Sequence, residues 1–148
     1  MRSRFLGFCF AFLSLFFLSA CSEKSEDTQS ILYENPTHHF TLQLPKSWEG
    51  KYEVKETENQ IFFSSKANQP GGILCEMRIW SKEEWKQDGE ELTAIIHLEK
   101  IGETDDKVYS FSTPTDVQWV VGDAEKEREY QAMFADVPSI KASFAIQE

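Results

Sequence analysis

The N-terminal residues form a leader that is predicted not to belong to the folded domain. Arg2 and Arg4 precede an apolar run over residues 5–17, weakened only by Gly7 and Ser14. A membrane-spanning helix needs about 20 apolar residues. This run is shorter, and its basic start is typical of an export signal that is removed. The fold must therefore be built from the residues that follow the leader.

The end of the leader indicates how the chain is attached to a membrane. Leu18-Ser19-Ala20-Cys21 follows the apolar run directly and resembles the lipobox of bacterial lipoproteins at each position. The resemblance implies cleavage between Ala20 and Cys21 and a thioether-linked diacylglycerol on Cys21, to which some bacteria add a third acyl chain on the new amino group. Two acyl chains hold a protein stably where one is marginal. The alternatives are an ordinary signal peptide that ends near a cysteine, and an anchor that is not cleaved.

The lipobox predicts a location on the extracytoplasmic side of the cell membrane. Ser22 follows the cysteine, at a position where aspartate is associated with retention in an inner membrane. An outer-membrane location therefore stays open for a host with two membranes. The number of membranes and the oligomeric state are left open by the sequence.

The charge of the remaining residues excludes some partners. The chain has 15 basic and 25 acidic residues, of which only Arg2 and Arg4 lie in the leader, so residues 21–148 carry 13 basic and 25 acidic side chains. This excess argues against nucleic acid as a partner and against electrostatic attraction to anionic lipid. The acyl chains must then supply the membrane attachment. A solvated surface explains the acidity, and the alternative is an acidic face for cations or a basic partner.

Cysteine usage leaves one thiol in the predicted domain. Cys9 leaves with the leader and Cys21 is modified, so only Cys75 remains and no internal disulfide is expected. Cys75 lies in an apolar run and is predicted to be a small core residue rather than a nucleophile.

The first half of the domain is predicted to be made of strands. Residues 21–30 form a polar, flexible tether, and a single domain follows over residues 31–148. Alternating apolar residues, followed by a proline that ends the pattern, predict a half-buried strand: Phe40, Leu42, Leu44 and Pro45. Turn chemistry separates the further strands predicted over residues 52–54, 61–63 and 73–80, with a loop at 68–72 before the last.

A short helix is predicted after these strands. Ser81 and Glu84 have the spacing of a capping box, and Trp80 and Trp85 that of a hydrophobic staple. Gly89 is the predicted end of the helix. These roles favour a structural function for both tryptophans over a ligand platform.

Two more strands are predicted before the last helix. The first covers residues 92–101, with Ala94, Ile96 and Leu98 on one side, and a hairpin turn at 103–107 joins it to the second. The partner strand covers residues 108–112. A turn at 113–116 and an apolar segment at 117–121 follow.

A C-terminal helix is predicted to cover the sheet. Asp123 is a good N-cap, and an apolar stripe follows at helical spacing: Tyr130, Met133, Phe134 and Val137. Pro138 interrupts the stripe, and a final turn carries Ile140 and Phe144 to the core. The elements define an α+β fold, an antiparallel β-sheet packed against a C-terminal helix and a short capped helix.

Two local patterns resemble known families. The strand at 40–44 followed by Pro45 and Trp48, with a helix leading to the run IKASF at 140–144, resembles PsbP-like domains over about residues 31–146. Trp48 and the run PTDVQ at 114–118 also resemble small uncharacterised lipoproteins of low-GC Gram-positive bacteria. The first resemblance implies a PsbP-like sandwich with an accessory or assembly role. Neither resemblance assigns a catalytic role to a residue of this chain.

No histidine or serine pattern identifies a reaction. His38 and His39 are adjacent and would point to opposite faces of a strand, and His97 stands alone. The chain has no HExxH or CxxC motif and no nucleophile elbow. No cofactor or metal is predicted, although folding could still bring a histidine and carboxylates together.

Acidic residues leave two alternatives open. A cation site could be lined by Asp105, Asp106, Asp116 and Asp123, although the first two are natural turn formers and the last is a cap. Paired carboxylates for glycoside chemistry stay open because acidic residues are abundant.

The leading prediction is a lipid-anchored, non-enzymatic domain that binds or assists another protein of the cell envelope. The weak candidates for a binding surface are Trp48, Trp119 and Asp116, and the functional surface is expected on the loops at 68–72 and 113–116. Core packing is the default expectation for both tryptophans. The alternative function is a small hydrolase or metal-dependent enzyme with an unrecognised site. A ligand-binding receptor for a transporter is disfavoured by the short chain.

Overall fold

The computed structural model describes residues 30–147. Its eight strands are β1 Ser30–Asn35, β2 Phe40–Pro45, β3 Tyr52–Glu56, β4 Gln60–Ser65, β5 Ile73–Ser81, β6 Leu98–Glu103, β7 Lys107–Ser112 and β8 Ala145–Ile146. Its helices are α1 Lys82–Glu84, α2 Glu90–Leu92, α3 Ala124–Phe134 and α4 Val137–Ala142, with a π-helical turn Trp85–Gly89 between α1 and α2. The predicted signal peptide, the predicted lipobox and all of the predicted tether except Ser30 lie outside the described residues.

The strands form two antiparallel sheets rather than the single sheet that was predicted. The smaller has the order β1-β2-β8 and the larger β3-β4-β5-β7-β6. The α+β class is confirmed, and β5 lies at the centre of the larger sheet, whereas β1 was not predicted. The chain leaves the smaller sheet at Pro45, and a 3-10 turn, Lys46–Trp48, carries it to the larger one. Pro45 lacks the N–H that would continue the ladder.

The core lies between the two sheets and under α3 and α4. The three apolar residues of β2 are buried as predicted. Aromatic contacts join the sheets: the Tyr33 and Phe63 rings meet edge to face at 5.1 Å, and those of Phe40 and Tyr109 at 5.9 Å. Cys75 is buried in this core, and burial raises the pKa of its thiol. The predicted structural role of Cys75 is confirmed.

The C-terminal helix begins where its cap predicts. The Asp123 carboxylate accepts hydrogen bonds from the backbone N–H groups of Glu125 and Lys126 at 3.2 and 3.1 Å. The predicted stripe faces the core, with Phe134 the one half-buried member of Tyr130, Met133, Phe134 and Val137. Pro138 lies in the first turn of α4, where the missing N–H removes no helical bond.

In the segment after β5, the predicted capping box of Ser81 and Glu84 is confirmed, but the predicted end of the helix at Gly89 is wrong. Ser81 and Glu84 form both bonds of the capping box, and the Trp80 and Trp85 rings pack edge to face at 5.6 Å. Gly89 does not end the helix, since its backbone is helical and α2 follows directly. A Cβ at Gly89 would lie 2.3 Å from the Trp85 ring. The glycine is therefore needed for the close approach of the indole.

The strand predicted over residues 92–101 is only half right. Leu92 ends α2, residues 93–97 form a loop, and β6 begins at Leu98. The loop exposes Ile95 and Ile96, which the predicted strand pattern assigned to a sheet. The alternation of apolar residues is the same in the loop and in the strand. The strand begins at Leu98 because pairing with β7 starts only there.

The strand pairings define two ends of the domain. We call one the Ser30 end, because Ser30 pairs there with Pro45, which leads through the turn at 46–51 into β3. The register places three loops at this same end: residues 66–72, 93–97 and 113–122. The opposite end, here the far end, carries the turns at 36–39, 57–59 and 104–106. There the His38 ring lies 2.9 Å from the Glu58 carbonyl.

Candidate functional site

The two loops expected to carry the functional surface are brought together by one buried side chain. Asn68 donates hydrogen bonds to the Ser65 hydroxyl at 3.0 Å and to the Lys126 carbonyl at 3.2 Å. Its own amide oxygen accepts from the Val120 N–H at 3.0 Å. Asn68 thus joins the 66–72 loop, the 113–122 loop and α3. Its polar groups are all satisfied, as burial requires.

A second side chain joins the same loops from the other direction. The Gln118 backbone oxygen accepts from the Gly72 N–H at 2.8 Å, and its side-chain oxygen accepts from the Ile73 N–H at 3.2 Å. Its amide nitrogen donates to the Asp116 carboxylate at 2.7 Å. A Cβ at Gly71 would lie 3.2 Å from the Gln118 carbonyl oxygen, so the glycine permits this close contact.

These loops are the walls of a shallow groove on the outer face of the larger sheet. The groove consists of two depressions of about 380 and 240 Å³ that share Phe62 and Ile73. Gln69 and Pro70 line the first, and the 113–116 turn and Gln118 line the second. Phe62 is on this face because its neighbours Ile61 and Phe63 point into the core. We call this groove the outer trough.

The polar lining of the outer trough is acidic. Its charged residues are Glu53, Lys55, Glu76 and Asp116. Gln69 donates to the Glu53 carboxylate at 3.1 Å and Gln60 donates to the Glu76 carboxylate at 2.8 Å. The amide donors hold the carboxylates in place without neutralising them. An apolar floor beside fixed negative charge suits a ligand with both apolar and basic groups.

The three residues predicted to lie on a binding surface differ in their exposure to solvent. Trp48 is 0% exposed, and its indole N–H donates to the Asp136 carboxylate at 3.1 Å. Its interpretation as a surface residue is therefore wrong, and core packing is correct. Trp119 is half-buried against the Tyr130 ring at 5.7 Å. Asp116 is exposed and lines the outer trough.

Between Ser30 and Gln147, none of the three histidines is paired with a carboxylate. The His38 ring nitrogen Nε2 bonds to a backbone carbonyl, and His39 is exposed with a positive φ of 54°. His97 is exposed beside a depression of about 330 Å³ whose Glu99 is paired with Lys141. Within residues 30–147, no group of three or more His, Cys, Asp or Glu side chains is arranged to hold a metal ion.

The aspartates considered for a cation site have separate structural roles. Asp106 accepts from the Thr104 hydroxyl at 2.9 Å, and this bond lowers the pKa of the Asp106 carboxyl. Asp123 caps α3, and Asp116 accepts from Gln118. The fold places Asp105 and Asp106 at the far end, away from Asp116 and Asp123 at the Ser30 end.

The candidate lipidation and cleavage residues, Cys21 and Ala20, lie outside the described part of the chain. Of the helices between Ser30 and Gln147, none is both long and apolar enough to span a bilayer. Comparison with protein-family models, with curated proteins and with solved structures gave no match.

Proposed function

We propose that this chain is a lipid-anchored binding module on the extracytoplasmic side of a membrane, and that its partner is a protein of the cell envelope. The leader and lipobox support the anchor. The two-sheet α+β domain is compatible with the PsbP-like sandwich that the sequence resembles, and we extend the proposal to an accessory role of that kind.

The outer trough is the observation that carries the binding role. Its walls come from two loops that are held together by Asn68 and Gln118 through bonds to backbone groups. Walls fixed in this way do not have to be ordered on binding, which reduces the entropic cost of association. Pre-formed grooves with an apolar floor and few polar groups are common binding sites.

The lining predicts the chemistry of the partner segment. Phe62 and Ile73 offer an apolar contact at the centre, with Glu76 and Asp116 beside it. An extended polypeptide segment with one apolar side chain and a neighbouring lysine or arginine fits this arrangement. Electrostatic complementarity of this kind contributes mainly to specificity and association rate.

Affinity capture from intact cells after chemical crosslinking tests the proposal. The chain keeps Cys21, and wild type is compared with Asp116→Arg in the trough and with Asp105→Arg at the far end. Both aspartates are exposed, and both substitutions replace an aspartate by an arginine. The two variants therefore differ in position but not in their change of charge. We expect one envelope protein to be captured repeatedly by wild type and by Asp105→Arg, and to be lost with Asp116→Arg.

Other results would contradict the proposal. Capture that is equal for both variants would exclude the trough as the binding site. An empty capture together with turnover in a panel of ester, peptide and glycoside substrates would favour the enzymatic alternative. An unmodified thiol at Cys21, found by mass spectrometry of the native protein, would exclude the anchor.

A further inference from the structure

The exposed large apolar side chains of the described region are concentrated at the Ser30 end. Four lie on two loops there: Val121 is 81% exposed, Ile95 66%, Val117 54% and Ile96 40%. Grouped aliphatic side chains in water mark a surface that contacts a protein or a membrane. The surrounding backbone is held in place, since Val120 bonds to Asn68 and Thr113 to the His97 carbonyl.

The charge of the Ser30 end differs from that of the rest of the domain. Its turn at 46–51 and its three loops carry three lysines, Lys46, Lys51 and Lys66, against two acidic residues, Glu49 and Asp116. The far-end turns at 36–39, 57–59 and 104–106 carry three acidic residues and no lysine or arginine. In a chain of net charge −10, the Ser30 end is therefore the one least repelled by an anionic surface.

The predicted anchor joins the domain at this same end. Nine peptide units separate Cys21 from Ser30. Even fully extended, they span no more than about 30 Å. The acyl chains would therefore hold Ser30 close to the bilayer, with the apolar loops beside it.

We propose that the Ser30 end of the domain lies on the lipid bilayer, with Ile95, Val117 and Val121 among the headgroups. This inference rests on the proposed lipid anchor. The acyl chains attach the protein, and the loops determine its orientation. The far end, with its acidic turns, then points away from the membrane, and the outer trough opens beside the bilayer surface. A partner of the trough is thus a protein that presents a segment close to the membrane.

Fluorescence of single-cysteine variants tests this orientation. The acylated full chain, with Val121→Cys or Asp105→Cys, carries an environment-sensitive dye and is bound to vesicles of phosphatidylcholine with a minority of phosphatidylglycerol. Cys21 is acylated and Cys75 is buried, so the dye reacts only at the new position. We expect lipids with a headgroup quencher to quench the dye at position 121 several-fold more than at position 105.

The controls separate this inference from the anchor. Equal quenching at both positions, in protein whose Cys21 is shown by mass spectrometry to be acylated, would overturn the orientation and leave the anchor intact. Shielding of position 121 that requires an added envelope extract would show that the loops bind protein instead, and would also overturn it. Val117→Asp combined with Ile95→Asp changes only exposed side chains, and should reduce the quenching at position 121 without changing the unfolding midpoint.

Discussion

The Trp48 indole N–H donates a hydrogen bond to the Asp136 carboxylate across 3.1 Å and 88 residues of sequence. The bond ties the turn that leaves the smaller sheet to the start of α4. Trp48 is fully buried, whereas Asp136 is half-buried. The contact therefore joins the interior of the sandwich to its helical cover.

Asp136→Ala should destabilise the domain by about 1–3 kcal/mol, the cost of a buried donor left without its acceptor. Urea denaturation measures the change in the free energy of unfolding. Trp48→Phe should cost less in the Asp136→Ala background than in wild type, because the bond is already lost. Additive effects would show that the bond contributes nothing. Glu49→Ala, which breaks only an exposed pair with Lys46, is the control and should change stability little.

Asn68→Ala should destabilise the domain by at least about 2 kcal/mol, because it leaves more than one buried backbone or hydroxyl group without a partner. The Val120 N–H should also exchange with solvent faster, since it loses the Asn68 oxygen. Hydrogen exchange followed by NMR measures this. Unchanged exchange at Val120 would contradict the role of Asn68 in holding the two loops. Gln69→Ala, at an exposed neighbour, is the matched control.

Gly89→Ala distinguishes helix propensity from packing. Gly89 has helical backbone angles, so propensity alone would favour alanine by about 1 kcal/mol. The new Cβ would meet the Trp85 ring at 2.3 Å, and overpacking of this kind costs about 1–3 kcal/mol. We expect net destabilisation and a changed near-ultraviolet circular dichroism signal from the Trp80–Trp85 pair. A stabilised protein would show that the ring moves aside freely.

Because of the capping box, the free energy of unfolding should depend on pH in the acidic range. The Ser81 backbone N–H and then its hydroxyl lower the pKa of the Glu84 carboxyl below its ordinary 4.5. A pKa that is lower in the folded state stabilises the protein above pH 4.5, and this stabilisation is lost as the pH falls through the folded-state value. Glu84→Gln keeps the capping acceptor but does not titrate. Wild type should therefore lose more stability than this variant between pH 6 and pH 3 in urea titrations. Parallel losses would exclude the capping carboxylate as a cause, and Glu83→Gln, outside the box, should behave as wild type.

Local signals correctly predicted the elements whose physics is local. The alternation of Phe40, Leu42 and Leu44 was enough for β2, and the caps at Ser81 and Asp123 placed two helix starts. A cap satisfies backbone N–H groups within three residues of itself, so its partners are visible in the sequence. The burial of Trp48 could not be predicted from local signals, because an aromatic side chain in a turn can face either the core or the solvent.

At the Ser30 end, the turn residues of the sequence indicated two of the three loops, but not the loop at 93–97. Residues 93–97 continue an apolar alternation, and only the start of pairing at Leu98 makes them a loop. The exposure of Ile95 therefore depends on where the β7 strand ends. Asp116 was identified as a surface residue, but Phe62 and Glu76, which complete the outer trough, were not.

The sequence by itself predicts the leader and the lipobox, and it determined the acidic excess and the short-range elements. Composition alone gives the charge, and the short-range elements depend on residues that are neighbours in the chain. Only the tertiary structure decided the division into two sheets, the burial of Trp48 and the joining of the 66–72 and 113–122 loops. Asn68 reaches Val120 across 52 residues, and Gln118 reaches Ile73 across 45. Such contacts depend on how distant strands pair and pack, which no local pattern of residues specifies.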